Sequence, residues 1–539
     1  MDHASDELCL HTQKLTNDER SLYKLSCAYH KRHTLLQRVL LNNAQAHSVR
    51  IQEPLMARKK VFLTGASGSM GSEAFRELLR RKGGYDIVLL LRPSKQNKKA
   101  FAKYEGQQGI EIVWGDLCNF DDVLKAVNGV DYVLHPAAFI APEANKNPPL
   151  CKRINCDGTD NIITAIKKQP SNGDDIRFVY ISSVAAYGDR LPPIHIVQVG
   201  DPLKPSIGDF YATTKIAAER AVIESGLKYW AVIRQTYIAI PNVVSLLDPV
   251  LFHQPANTHI ELITSEDAGY GLIQTIEAPD DFYGKVYNMG GGPACRVVFR
   301  DYIEKMVKIF GLGDYRKIMP LNSFALRNFV CCWSEDSWVL NEYLGHWRHS
   351  LEDHYKQVGA AAPWYLKLGG RIAPSFVVKA FIRRMADPLK WLEGDETEKI
   401  KAFFGSREAW QNIPDWEHSA YAQQREVTVS FSSVMEKRSE PERYTIRDMQ
   451  ELARCRGGQC LSTEFVDIKT KLKWKCAFGH VWEATPRLLK AGHWCPDCAP
   501  PPWDYDTQAK VDPALAAIYY NNHDRTEYQR VDWLYCPNA

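Results

Sequence analysis

The sequence predicts an α/β protein: a doubly wound parallel sheet with a small capping lobe, a helical extension and a small metal-stapled C-terminal module. Three observations carry this. Short apolar runs alternate with helical stretches from Lys59 to about Gly292. The first run passes straight into a glycine-rich turn, Gly65-Ala-Ser-Gly68-Ser-Met-Gly71. Near the other end, two close pairs of soft ligands occur, Cys476-x-x-x-His480 and Cys495-Pro-Asp-Cys498. At 539 residues the chain exceeds one ordinary core. It divides into a polar N-terminal extension (1–57), the α/β domain with its lobe (58–330), a Trp-rich helical extension (331–440), the metal module (441–500) and a tail (501–539).

Composition narrows the function classes. Apolar residues are 45% and charged residues 24%, the balance of a globular chain rather than a disordered one. The net charge of +3 is too small for a general nucleic-acid binder. No apolar run reaches the roughly 18 residues of a membrane span. The first 55 residues lack an apolar signal core, and their acidic residues argue against a transit peptide, so the expected location is cytoplasmic. Fourteen cysteines then read as reduced thiols plus a metal site.

The expected strands are Val61–Thr64, Ile87–Leu91, Ile110–Trp114, Tyr132–His135, Phe178–Ile181 and Trp230–Ile233. They are continuous apolar runs, as a parallel sheet covered on both faces requires. A helix is expected from about Ser72. Its N-terminus, with unpaired N–H groups and a partial positive charge, faces the glycine turn, where glycine lets backbone approach a pyrophosphate. This strand–turn–helix context marks a Rossmann-type dinucleotide site formed by Gly65, Ser67, Gly68, Ser69, Met70 and Gly71. An NAD site usually carries an acid about 20 residues past the glycines. Here the second strand ends in Leu91-Arg92-Pro93-Ser94-Lys95, where Arg92 and Lys95 suit a 2′-phosphate, so NADP is preferred to NAD. Asp116, ending the third strand, can accept from the adenine amino group.

Tyr211-Ala-Thr-Thr-Lys215 sets a phenol and an ammonium one helical turn apart, downstream of a strand ending in Ser182-Ser183. Hydride transfer at a carbinol carbon needs proton transfer at its oxygen. Tyr211 suits that role if its pKa falls, and Lys215 is expected to lower it and to grip the ribose. Ser183 is expected to hold the substrate oxygen.

Together these motifs resemble the extended (atypical) short-chain dehydrogenase/reductases of the NAD-dependent epimerase/dehydratase family. The matching stretches are Thr64–Gly71, Gly115-Asp116-Leu117, His135-Pro136-Ala137-Ala138, Asn155–Asn161, Ser182-Ser183, Tyr211-x-x-x-Lys215, Ile233-Arg234-Gln235 and Tyr287–Gly291, in family order. The resemblance implies a triad of Ser183, Tyr211 and Lys215, with Asp116 and Leu117 at adenine and Ala137 and Ala138 lining the cofactor. It also implies a homodimer. Asn155 has two readings, support for a proton relay and a satisfied structural amide. Arg92, and the run Arg234-Gln-Thr-Tyr-Ile-Ala-Ile-Pro241, depart from the nucleotide-sugar enzymes. They favour branches acting on a free alcohol or carbonyl.

In the extension, Phe376–Met385 carries apolar residues at 377, 378, 381, 382 and 385 opposite Lys379 and Arg383. A helix packed on the core is the preferred reading, and peripheral membrane contact is the other. In the module, Cys476, His480, Cys495 and Cys498 make a closed ligand set for structural zinc, which a piece of about 58 residues needs. Its wording resembles a zinc-ribbon or treble-clef-like family, and its net charge of +4 over residues 443–500 permits nucleic-acid contact without requiring it. The leading function is an NADP-dependent oxidoreductase interconverting a small-molecule secondary alcohol and its carbonyl. The alternatives are a redox-neutral nucleotide-sugar epimerase or dehydratase holding NAD, and a nucleic-acid-binding or scaffold protein with a nucleotide-sensing domain.

Overall fold

A computed structural model describes residues 58–81, 84–188, 196–197, 199, 203, 205–206, 208–241, 249–329, 332–419, 444–455, 458–467, 470–476, 479–486, 489 and 495. The N-terminal extension, the tail and Cys498 lie outside the described residues.

The strands are β1 (Lys59–Leu63), β2 (Tyr85–Leu91), β3 (Ile110–Trp114), β4 (Tyr132–His135), β5 (Arg177–Ser183), β6 (Ile196–Val197), β7 (Tyr229–Gln235), β8 (Tyr237–Ala239), β9 (His259–Thr264), β10 (Lys285–Met289), β11 (Arg296–Val298) and β12 (Trp333–Ser334). Three more, β13 (Gln459–Cys460), β14 (Leu472–Lys475) and β15 (Val481–Ala484), form the antiparallel sheet of the C-terminal module. The six strands expected from sequence are β1 to β5 and β7. The main sheet adds β10 at its edge, in the order β10-β7-β5-β4-β1-β2-β3, and all its pairings are parallel.

Helices cover both faces because the strands are apolar on both. Val61, Leu63, Leu89 and Ile181 enter one core. Phe62, Val88, Leu90, Phe178 and Val232 enter the other. The first core is closed by α1 (Ser69–Arg80), through Ala74, Phe75 and Leu78. The second is closed by α3 (Phe120–Val127), α4 (Gly158–Lys167) and α5 (Phe210–Ile223). Between α1 and α3 lies α2 (Lys95–Phe101), capped by Ser94, whose Oγ accepts from Asn97 N at 3.1 Å. Helix α6 (Ser265–Gln274) crosses α1 where a Cβ on Gly269 would sit 2.4 Å from Glu73 Cβ. Strand order reverses between β1 and β4, the switch point at which open α/β sheets bind ligands.

The described residues of the extension share cores with the α/β domain and its lobe. Leu340 and Leu344 join the first sheet core. Leu351, Tyr355, Ile382 and Trp416 share a third core with the lobe residues Phe252, Ile260 and Tyr302. The C-terminal module packs Trp474, Met449 and Trp482 with Trp333. Within the extension, two consecutive helices are joined by two residues, α7 (Trp364–Ile372) and α8 (Ser375–Met385). The apolar face expected on α8 is divided: Ile382 is buried and Val378 and Met385 are partly buried against the third core, while Val377 and Phe381 are exposed.

Candidate active site

The glycine turn is fixed by space. Gly65 adopts φ +62°, and a Cβ there would meet Ala137 Cα at 2.9 Å; on Gly71 it would lie 2.1 Å from the Gly65 carbonyl oxygen. Gly68 meets only that same oxygen, at 3.3 Å. Two glycines are therefore demanded by packing, whereas Ser67 and Gly68 present an exposed surface at the start of α1. The helix begins at Ser69, three residues before the expected Ser72, with Gly68 as its cap and no side-chain capping bond. Ser69 is half-buried and Met70 buried. This open, N–H-rich cradle fits a pyrophosphate.

Neighbouring strand ends complete the rim. Thr64 Oγ1 bonds His135 Nδ1 at 2.8 Å and accepts from Ala137 N at 3.2 Å, while His135 Nε2 reaches Thr159 Oγ1 at 3.2 Å. Burial drives His135 down to about 3, so this ring is a neutral strut that fixes the Ala137–Ala138 segment. Arg92 and Lys95 are exposed at the end of β2, where the Arg92 carbonyl accepts from Ser94 N at 2.8 Å and Asn97 Nδ2 at 2.9 Å. Asp116 is exposed, with Oδ1 accepting from Cys118 N at 2.9 Å; Asp122 supports its turn by accepting from Asp116 N at 2.9 Å. The carbonyl of Leu117 accepts from Asn161 Nδ2 at 2.8 Å.

Ser183, Tyr211 and Lys215 come together at the ends of β5 and α5. Ser183 closes β5, its Oγ accepting from Ala185 N at 3.1 Å, and hydrogen-bonds the Tyr211 phenol. Asp209 caps α5 by accepting from Ala212 N at 3.0 Å, and Asn145 Oδ1 accepts from Tyr211 N at 3.1 Å. Lys215 is buried. Its Nζ donates to the Ile181 carbonyl at 2.5 Å and sits 4.3 Å from the centre of the Tyr180 ring.

The electrostatics differ from the sequence expectation. Burial pushes Tyr211 up to about 12, with the Ser183 hydrogen bond opposing it. Burial brings Lys215 down to about 7, with Glu219 opposing it. A lysine that loses its proton near 7 is neutral where the phenol titrates, so in the protein alone no ammonium stabilises a phenolate.

Asn155 is a satisfied amide: Oδ1 accepts from Phe139 N at 2.8 Å, and Nδ2 donates to Phe139 O and Thr214 Oγ1, both at 3.0 Å. It sits in a π-helical turn, Arg153–Asp157, and ties the segment after Ala138 to α5. Sequence reasoning missed the buried pair beneath the triad. Arg234 Nη2 donates to Glu219 at 2.6 Å, Ser182 Oγ donates to the same carboxylate at 2.6 Å, and Arg234 Nη1 donates to Tyr187 at 2.6 Å. The available signal was the spacing of Tyr211, Lys215 and Glu219, each four residues from the next on one helix.

Residues 61–253 match the profile of the NAD dependent epimerase/dehydratase family. That segment belongs to this family. Bovine sterol-4-alpha-carboxylate 3-dehydrogenase, decarboxylating, is 28% identical over 174 residues, 32% of this chain and 44% of that protein. A 3-beta-hydroxysteroid dehydrogenase from Mycolicibacterium neoaurum is 26% identical over 172 residues, 30% of this chain and 42% of its own length. The chain thus spans less than half of the curated relatives it matches. Among solved structures, dTDP-glucose 4,6-dehydratase from Streptomyces venezuelae, with NAD and TYD bound, has a TM-score of 0.46 and 19% identity, covering 59% of this chain and 99% of that one. In the epimerase/dehydratase-family segment of this chain, the glycine turn, the β2 and β3 ends and the Ser183–Tyr211–Lys215 cluster all lie at the C-terminal ends of the parallel strands.

In the C-terminal module, Cys476, His480 and Cys495 place their ligand atoms within 4.8 Å of one another, with Cys495 Sγ 3.5 Å from His480 Nδ1. Gly479, at φ +89°, turns the chain so that Cys476 N donates to the His480 carbonyl at 3.0 Å. Three of the four expected ligands thus converge, and the fourth, Cys498, lies outside the described residues.

Proposed function

We propose that the chain is a nicotinamide-dinucleotide-dependent oxidoreductase interconverting a secondary alcohol and its carbonyl on an apolar small molecule. The observation that carries this is the convergence of Ser183, Tyr211 and Lys215 at the mouth of a glycine cradle, beside apolar side chains left exposed. Ile140 follows the Ala137–Ala138 rim, Phe210 precedes Tyr211, and Tyr237 and Ile240 follow the end of β7; all four are exposed. A nucleotide sugar would call for polar groups here, whereas this rim suits a hydrocarbon skeleton. The sterol and hydroxysteroid names of the two relatives agree with that chemistry.

Gly65, Ser67, Gly68, Ser69, Met70 and Gly71 take the pyrophosphate. Asp116 and Leu117 meet adenine, Ala137 and Ala138 line the nicotinamide side, and Arg92 with Lys95 selects NADP by pairing its 2′-phosphate. Bound there, the cofactor supplies or takes the hydride. Tyr211 gives or takes the hydroxyl proton, Ser183 holds the same oxygen, and Lys215 donates to the ribose hydroxyls. The family to which residues 61–253 belong also favours a second reading, redox-neutral epimerisation or dehydration on tightly held NAD. Cys476, His480, Cys495 and Cys498 hold a structural zinc that staples the C-terminal module.

Tyr211→Phe tests the reading. The variant is expected to keep nucleotide binding and to lose turnover at least about a hundredfold. Retained turnover overturns the assignment. One NAD per chain carried through purification would favour the redox-neutral reading instead.

A further inference from the structure

We infer that helices α7 and α8 form a docking surface for an anionic phospholipid bilayer, lying in its interface without crossing it. The inference is independent of the active-site reading. Among the described residues, sixteen large apolar side chains are exposed, and eight of them fall within residues 364–381. Trp364, Ile372 and Phe376 are each more than 70% exposed, and Leu368, Val377 and Phe381 accompany them. A concentration of this kind marks a contact surface rather than scattered surface hydrophobes.

The way α7 is attached explains the exposure. None of its side chains is buried. It rests instead on backbone: a Cβ on Gly370 would lie 2.0 Å from the Phe310 carbonyl oxygen, and one on Gly311 would lie 2.8 Å from Arg371 Cγ. Glycine thus occupies the inward contact, and Trp364, Leu368 and Ile372, spaced four residues apart, share a face left to the outside. Helix α8 is anchored through Ile382, which leaves Phe376, Val377 and Phe381 exposed.

Charge decides what covers this surface. Residues 364–385 hold five Lys or Arg and no Asp or Glu, in a chain whose overall charge is only +3. Arg371, Lys379, Arg383 and Arg384 are exposed. Pairing this face with a second copy would oppose ten cations with no acid between them. An anionic bilayer complements them, accepts the apolar side chains below its headgroups and suits Trp364 and Tyr365 at its boundary. At 9 and 11 residues the helices are about 14 and 17 Å long, short of the roughly 30 Å hydrocarbon core. Among the described residues, no helix is long and apolar enough to cross a membrane.

The test is flotation of the full chain with phosphatidylcholine vesicles, with and without phosphatidylserine. Binding is expected to the serine-containing vesicles and to weaken with added salt. Trp364→Ser/Phe376→Ser/Phe381→Ser is expected to lower partitioning at least about tenfold, and Lys379→Glu/Arg383→Glu/Arg384→Glu to abolish the preference for anionic lipid. Both variants should keep the wild-type far-UV circular dichroism and urea midpoint, which shows that the fold survives. The inference falls if the wild type floats with neither vesicle or if the serine variant floats as well as wild type. It also falls if the surface proves to be a self-association face, seen as a wild-type oligomer that the serine variant converts to monomer.

Discussion

Replacing Lys215 by methionine isolates the energetic cost of the buried ammonium. In the unfolded chain this group titrates near 10.5, and burial in the folded protein brings it down to about 7. The interval of roughly 3.5 pH units, at 1.36 kcal/mol per unit, corresponds to about 5 kcal/mol, an upper bound on the cost of keeping the charged form inside. Below about pH 7 the lysine is protonated in both states, and the folded state bears the full cost. Between about 7 and 10.5 the unfolded chain holds the proton and the folded chain does not, so stability rises with pH across this window. Lys215→Met carries no such proton. It is expected to be more stable than wild type at about pH 6, less the lost bond to Ile181 and the contact with Tyr180, each worth about 1 kcal/mol. The advantage should shrink by at most about 3 kcal/mol at about pH 9. Urea unfolding of both proteins at the two pH values measures this, and taking the difference cancels the other titrations. A difference that does not change with pH, or that grows in the variant's favour as pH rises, refutes the account.

The remaining predictions concern cofactor and metal. Gly71→Ala forces a methyl against the Gly65 carbonyl and is expected to cost about 1–3 kcal/mol in unfolding free energy and to lose nucleotide binding. Gly68→Ala should cost less than about 1 kcal/mol, the loss of a glycine cap, yet bind nucleotide more weakly. Equal destabilisation of the two would contradict the division of roles. Arg92→Glu should lower NADPH affinity at least about tenfold while sparing NADH, read by fluorescence titration; an unchanged NADPH affinity would remove Arg92 from the cofactor site. Metal analysis should find about one zinc per wild-type chain and none in Cys495→Ser, and a metal-free wild type would refute the zinc assignment.

The sheet was legible because its signal is local. Each expected strand is a short apolar run closed by turn residues, and alternate side chains such as Phe62 and Leu63 find cores on opposite faces. The edge strand β10 was legible only as the stretch Tyr287–Gly291, because Lys285–Met289 mixes polar residues with apolar ones. The glycine turn and the Tyr211–Lys215 spacing were equally local. Burial relative to a neighbour was not. The periodicity of Phe376–Met385 marks an apolar face, but the chain text does not state that Ile382 meets the core while Phe381 stays outside. That division depends on how much of the groove α7 and the lobe already fill. The same limit hid the pKa of Lys215, which depends on whether a carboxylate reaches it in three dimensions.

The two buried cations of the candidate active site and its support show why that last point matters. Arg234 and Lys215 are both inside, yet burial is overcome in one and not in the other. Glu219 takes two donors of Arg234 and the Ser182 hydroxyl, so its carboxylate is fully engaged and Arg234 is held protonated, with its pKa raised. Lys215, one turn before Glu219, donates to the Ile181 carbonyl and lies over the Tyr180 ring, and the charge of Glu219 offsets its burial only in part. The Arg234–Glu219 pair therefore clamps β7 to α5. Lys215 remains the buried cation whose charge is open to change by whatever binds next to it. It also lies on the helix that carries Tyr211, so a ligand that offers acceptors to Lys215 restores its ammonium and, with it, a positive charge near the phenol. On this account the low Tyr211 acidity of the protein alone and the acid–base role proposed for it are two states of one site, separated by occupation of the glycine cradle.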